Sequence, residues 1–137
     1  MTTGGGPYGA VRYEVASEPV YFGHCHFRAC RRASGAGHST YVDVPRPAMT
    51  VRGETQSYAQ PGGSGLPAAR PFCPVYGSQL FGACEIAADM ATFYAGTLDD
   101  PSAIRPDAAI NVRSRQPWGC VAGDLAEFED RPPGAGA

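Results

Sequence analysis

Eighteen glycines and thirteen prolines are spread along all 137 residues, and this dispersal constrains the fold more than any other feature. Proline removes a backbone donor and fixes φ, and an internal glycine costs a helix about 1 kcal/mol relative to alanine. The longest run free of both, Ala83 to Ala95, has 13 residues and ends in the β-favouring Thr92-Phe93-Tyr94. Long helices therefore have no room. Short alternating runs do: Val11 to Val15, Tyr41 to Val44, Met49 to Val51, Thr55 to Tyr58, Gln79 to Phe81, Ala91 to Tyr94 and Ile110 to Val112. Short strands separated by turn residues predict an all-β chain of the sandwich or barrel type. One helical turn is expected, Ala29 to Ser34, stopped by Gly35. Pro61 to Pro67 reads as a mobile loop, and Pro132 to Ala137 as a frayed tail.

The length is that of one domain, residues 1–137. The hydrophobic fraction of 43% is ordinary for a globular protein. A net charge of −2 without a basic block gives nucleic-acid binding no electrostatic support. All eleven basic residues are Arg, so any anionic partner must be held by guanidinium forks. No stretch approaches the roughly 20 apolar residues of a membrane span. The first residues, Met1-Thr2-Thr3-Gly4-Gly5-Gly6, lack the features of a secretory leader, and the chain reads as cytoplasmic. Five cysteines, an odd number, argue against a disulfide framework and for metal or thiol chemistry.

Five separated blocks carry a resemblance. Gly6-Pro7-Tyr8-Gly9-Ala10-Val11-Arg12-Tyr13 corresponds to C-x-C before G-A-V-R-Y, with Gly6 and Tyr8 at the cysteine positions. His24-Cys25-His26-Phe27-Arg28-Ala29-Cys30-Arg31-Arg32-Ala33-Ser34-Gly35 corresponds to C-H-C-x-x-C-R-R-x-S-G, with Phe27 at the middle cysteine. Arg70-Pro71-Phe72-Cys73-Pro74-Val75-Tyr76-Gly77-Ser78 corresponds to R-x-F-C-x-x-C-G-S, with Tyr76 at the second cysteine. Gly96-Thr97-Leu98-Asp99-Asp100-Pro101 and Pro117-Trp118 complete the set. In this order they resemble the glutathione-dependent formaldehyde-activating enzyme and centromere protein V family, with four of its seven zinc-binding cysteines replaced. Gly, Tyr and Phe codons are each one base from a Cys codon, which suits drift or a natural metal-free lineage.

The resemblance implies a β-tent of short antiparallel sheets with little helix. It implies two zinc sites. One is a closed structural site built from the C-x-C and the C-x-x-C. The other is an open site of three thiolates, whose vacant position can take a thiol or water. It also implies a carbon-sulfur lyase activity joining formaldehyde and glutathione. By this carry-over, Cys25 and Cys30 are the catalytic and metal residues, with His26 as a possible third ligand of a residual zinc. Arg31 and Arg32 are the grip on a glutathione carboxylate, and Cys73 is the remnant of the structural site, which one thiolate cannot hold together and which is expected to be empty. The residues themselves leave a second reading open: Cys25 and Cys30 as buried thiols in a metal-free, non-catalytic β-tent scaffold that binds a small molecule or a protein. Zinc is accordingly expected to be absent or confined to one weak site, and the expected partner is a small thiol such as glutathione.

Four further expectations are structural. Cys25 and Cys30 should meet across a loop and the helical turn that follows it. Tyr8 and Tyr76 should pack together beside Cys73, with Gly6 leaving room. Asp99-Asp100-Pro101 should form a capped turn, and Trp118 should anchor the core. Cys84 and Cys120 lie outside every block and receive no role.

Overall fold

The computed structural model of the chain describes residues 1–61, 67–84 and 88–131. The Pro61 to Pro67 loop lies largely outside them, and the tail from Pro132 lies wholly outside. The chain is all-β with little helix. Its strands are β1 Thr2–Gly5, β2 Arg12–Val15, β3 Tyr21–Cys25, β4 Ser39–Pro45, β5 Met49–Arg52 and β6 Gln56–Pro61. They continue with β7 Pro67–Phe72, β8 Phe81–Cys84, β9 Met90–Tyr94, β10 Ala108–Ile110 and β11 Ala126–Glu127. The single α-helix among the described residues, α1, is Arg28–Ser34, closed by Gly35 at φ 69°.

Two sheets carry the fold. The smaller has the order β1-β2-β5, and the larger has the order β11-β10-β3-β4-β9-β8-β7-β6. Pairing is antiparallel except at one end of the large sheet, where β10 runs parallel to both β3 and β11. These two pairings make the large sheet mixed. A parallel neighbour needs a long connection, and residues 26–107 supply it between β3 and β10. Close approach there needs Gly23: a Cβ at that position would lie 2.6 Å from the Ala108 carbonyl oxygen.

Strand alternation fixes the core. Val42 and Val44 on β4 point inward beside Ala91 and Phe93 on β9, and Tyr13 and Val15 of β2 close over them from the small sheet. The Tyr13 ring lies 5.4 Å from Phe93, and its hydroxyl pairs with Thr97 Oγ1 at 2.6 Å. A buried tyrosine thus keeps its polar tip satisfied. The expected turn forms in part: Asp100 accepts from the Ser102 amide at 3.1 Å. Asp99 does not cap; it accepts from the Arg12 guanidinium and from Thr3 Oγ1, tying β1 and β2 to the turn. Trp118 does not anchor the core. It is 66% exposed and rests on Gly37, where an added Cβ would come within 2.8 Å of its ring.

Candidate active site at Cys25 and Cys30

Cys25 is the last residue of β3, paired with Ser39 on β4 and with Ile110 on β10. It therefore sits on a strand and not on a loop as expected. The chain turns at Phe27 and enters α1, so Cys30 comes back over the strand end after one helical turn. Each of the two thiols shifts the ionisation of the other. Arg70, Ser39 and Asn111 reach the two sulfurs, and Tyr94 and Gln79 join through Arg70. Arg70 of β7 donates from Nη2 to Cys30 Sγ at 3.6 Å and from Nη1 to the Tyr94 hydroxyl at 3.4 Å. Gln79 donates to the same hydroxyl at 3.0 Å. Ser39, buried and with its hydroxyl otherwise unpartnered among the described residues, lies beside Cys30. Asn111 donates from Nδ2 to Cys25 Sγ at 3.4 Å.

The C-terminal segment holds Asn111 in place. Its backbone adopts a left-handed conformation, φ 54°, and its amide donates to the Asp130 carbonyl at 2.8 Å. Asparagine tolerates that conformation better than most residues.

The electrostatics of the two thiols are opposite. The hydrogen bond from Cys25 and the adjacent Arg70 guanidinium bring Cys30 down to about 6, against the pull of burial. The same contact with Cys30, reinforced by burial, pushes Cys25 well above the ordinary thiol range. Among the described residues Arg70 has no carboxylate partner, and its Nε is buried without a hydrogen-bond acceptor. A half-buried cation needs a counter-charge, and the Cys30 sulfur is the group placed to supply it.

The histidines form a separate cluster. His24 Nδ1 pairs with Thr40 Oγ1 at 2.9 Å, and the His38 ring lies 4.6 Å from His24 and 5.5 Å from His26. His26 is fully buried, and neither ring nitrogen has a partner among the described residues. Burial, with His38 and His26 adding to it, lowers His24 to about 4. Burial likewise lowers His26 and His38.

These donors do not fit the open zinc site implied by the resemblance. Phe27 brings no ligand, His26 stacks toward His38, and no group of three His, Cys, Asp or Glu among the described residues is arranged around a metal. The closed site fares the same. Cys73 is fully buried in an apolar cluster with Val11 and Leu80, and Phe81 packs against it. Its turn persists without four thiolates: the Gly77 amide donates to the Cys73 carbonyl at 2.7 Å, with Gly77 at φ 73°. An added Cβ at Gly6 would sit 3.6 Å from Cys73 Cβ, an ordinary contact. Tyr8 and Tyr76 do pair, ring centroids 4.9 Å apart, yet Tyr8 is 87% exposed and Tyr76 51%. They lie outside the apolar cluster and do not refill it.

Arg31 and Arg32 stand on the same helix as Cys30. Arg31 donates to the Ser114 carbonyl at 3.2 Å, and Arg32 is exposed. Cys120 is exposed. Sequence reasoning did not single out Arg70, Ser39, Gln79, Tyr94 or Asn111. Arg70 alone carried a signal, as the first residue of its block.

A family model described as glutathione-dependent formaldehyde-activating enzyme matches residues 1–114. A solved structure of a Rhodobacter sphaeroides protein superposes with a TM-score of 0.56 at 19% identity, covering 76% of this chain and 91% of that one. At that identity the likeness concerns the fold. No curated protein matches the chain. Enzymes of that family are generally zinc-associated. On the match over residues 1–114, the chain belongs to the glutathione-dependent formaldehyde-activating enzyme family.

Proposed function

We propose that this chain acts as a carbon-sulfur lyase-like family member on the adduct of formaldehyde with glutathione or another small thiol. In this reading the Cys30 sulfur is the reacting group and no zinc takes part. The observation that carries it is the contact of Cys30 with the Arg70 guanidinium. A sulfur held as thiolate beside a cation is a nucleophile at neutral pH.

The Cys30 thiolate attacks the carbonyl carbon of formaldehyde and forms a C–S bond. The carbonyl π electrons move to oxygen, which takes a proton, and Cys30 becomes S-hydroxymethylated. Breaking that bond returns formaldehyde, and a small thiolate captures it to give the hydroxymethyl adduct. Arg70 holds the thiolate and the developing oxyanion. Tyr94, raised to about 12 mainly by burial, stays protonated and can donate. Arg31 and Arg32 enter this reading as the grip on a glutathione carboxylate. Arg32 is free to reach outward, whereas Arg31 must give up the Ser114 carbonyl.

The test is the exchange rate between formaldehyde, glutathione and their adduct, followed by NMR with reduced protein. We expect acceleration by the wild-type chain, the background rate for Cys30→Ser, and a rate lower by about tenfold for Arg70→Met. A wild-type chain that leaves exchange at background overturns the proposal in favour of the metal-free, non-catalytic scaffold.

A further inference from the structure

The outer face of the large sheet carries a polar row that runs on from the end of β3. Side chains alternate along a strand. Val42 and Val44 of β4 and Phe93 of β9 point into the core, so Ser39, Tyr41 and Asp43 of β4 and Thr92 and Tyr94 of β9 lie on the opposite face. Strand pairing sets Cys25 across from Ser39, Tyr41 across from Tyr94, and Asp43 across from Thr92. The two tyrosines lean apart. A Cβ added at Gly23 on β3 would lie 3.3 Å from the Tyr41 hydroxyl oxygen, and one added at Gly82 on β8 would lie 3.4 Å from the Tyr94 hydroxyl oxygen. β3 and β8 flank the β4–β9 pair on either side, so the two rings wall a trough whose floor is that pair.

One end of the trough meets the thiol site, where the Arg70 guanidinium donates both to Cys30 Sγ and to the Tyr94 hydroxyl. At the other end stands Asp43, half-buried. Thr92 Oγ1 donates to its Oδ1 at 2.5 Å, and its second oxygen has no partner among the described residues. It makes no ion pair among them either; Arg131 acts on it only from beyond pairing distance. Burial outweighs Thr92 and Arg131 in setting its ionisation, so its charge lacks a strong partner. A carboxylate so placed favours a ligand that brings a cation and hydrogen-bond donors.

From Ser39 to Asp43 the strand rises about 14 Å, at about 3.4 Å per residue. An extended tripeptide spans about 10 Å, and the gap between reacting sulfurs and a hydrogen bond at the carboxylate take up the remainder. We infer that Asp43 is a specificity-determining residue for the thiol substrate: it binds an ammonium group carried about one tripeptide length from the substrate's sulfur, as the γ-glutamyl amine of glutathione is. The inference rests on the lyase reading for which end of the trough receives the sulfur.

The full-length chain is titrated by calorimetry, without aldehyde, with S-methylglutathione, whose thioether cannot react, and with its N-acetyl derivative, which has no ammonium group. We expect the wild-type chain to bind the free amine about tenfold more tightly than the acetylated form. Asp43→Asn should bind both with one Kd, the wild-type value for the acetylated form. Damage to the fold would instead weaken both ligands and keep their ratio. In the wild-type chain, NMR should also show NOEs from the ligand's glutamyl α-proton to the Tyr41 ring, a readout that holds if Asp43→Asn does not fold. Four results would overturn the inference: no binding of S-methylglutathione, equal wild-type Kd values, a preference that persists in Asp43→Asn, or no NOE to Tyr41. Exchange with formaldehyde judges the lyase reading separately. A chain that binds as expected and leaves exchange at background overturns that reading and supports this one.

Discussion

Arg70 decides the chemistry of the sulfur beside it because nothing else described in the fold balances its charge. An isolated buried cation is costly, and a thiolate at 3.6 Å offsets part of that cost. The consequence for pH has a definite sign. An unfolded thiol titrates near 9.0 and folded Cys30 near 6, so between those values the native state binds fewer protons. Its contribution to stability is complete above 9.0 and is lost as pH falls through 6. Above 9.0 Cys25 works in the opposite sense, because the fold keeps it protonated where the unfolded chain ionises. The same ionisation can be read by iodoacetamide. The alkylation rate of Cys30, measured by peptide mass spectrometry, should rise through a midpoint near 6, and Arg70→Met should move that midpoint up toward 9.0. A midpoint near 9.0 in the wild-type chain would remove Arg70 from this role. None of this was legible from Cys25 and Cys30 alone. Spacing put the two sulfurs on neighbouring turns of chain, whereas Arg70, Asn111 and Tyr94 reach them only through strand order.

At the level of elements, legibility followed the side chains. Strands β2, β4 and β9 have apolar residues at every second position, and they face the core as that alternation requires. β1 is Thr-Thr-Gly-Gly and β7 is Pro-Ala-Ala-Arg-Pro-Phe, neither with a strand pattern of its own. They exist because β2 and β6 offer partners, and pairing is not written in a local window. β3 was missed for the same reason: Tyr-Phe-Gly-His-Cys reads as a loop until β4 and β10 flank it. The turn at Tyr8 shows an element carrying a residue its backbone disfavours. Tyr8 has φ 61°, a left-handed conformation that costs a non-glycine residue about 1–2 kcal/mol. Its ring contact with Tyr76 returns about 0.5–1.5 kcal/mol, nearer the lower end for rings this exposed. Tyr8→Ala and Tyr8→Gly both delete the ring, so their difference isolates the backbone. Tyr8→Gly should melt about 3 °C above Tyr8→Ala, corresponding to about 1 kcal/mol. Equal melting temperatures would show that the turn is not left-handed at Tyr8.

For the whole molecule the question is whether the Cys73 corner needs a structural metal. In small zinc domains that metal contributes about 10–16 kcal/mol of apparent binding free energy, and its removal unfolds them. Here the loops at the Cys73 corner are joined by other means. Val11, Cys73 and Leu80 are fully buried against one another, the Gly6 amide donates to the Val11 carbonyl at 3.1 Å, and the Cys73 amide to the Ser78 carbonyl at 2.9 Å. The corner is also attached to a sheet of eight strands among the described residues, whose core lies around Val42 and Phe93. Cys73 in this setting packs as a small apolar side chain. Two outcomes follow for the same experiment. A strong zinc chelator should leave the melting temperature of the wild-type chain unchanged within about 1 °C. Cys73→Ala should cost about 1–2 kcal/mol, the range for deleting one buried atom and leaving a small cavity. That corresponds to a melting temperature lower by about 3–6 °C, with a cooperative transition retained and the same shift with and without chelator. A fold that depended on zinc at this corner would behave differently on both counts. The chelator would abolish the cooperative melt, and Cys73→Ala would already show the unfolded baseline before heating.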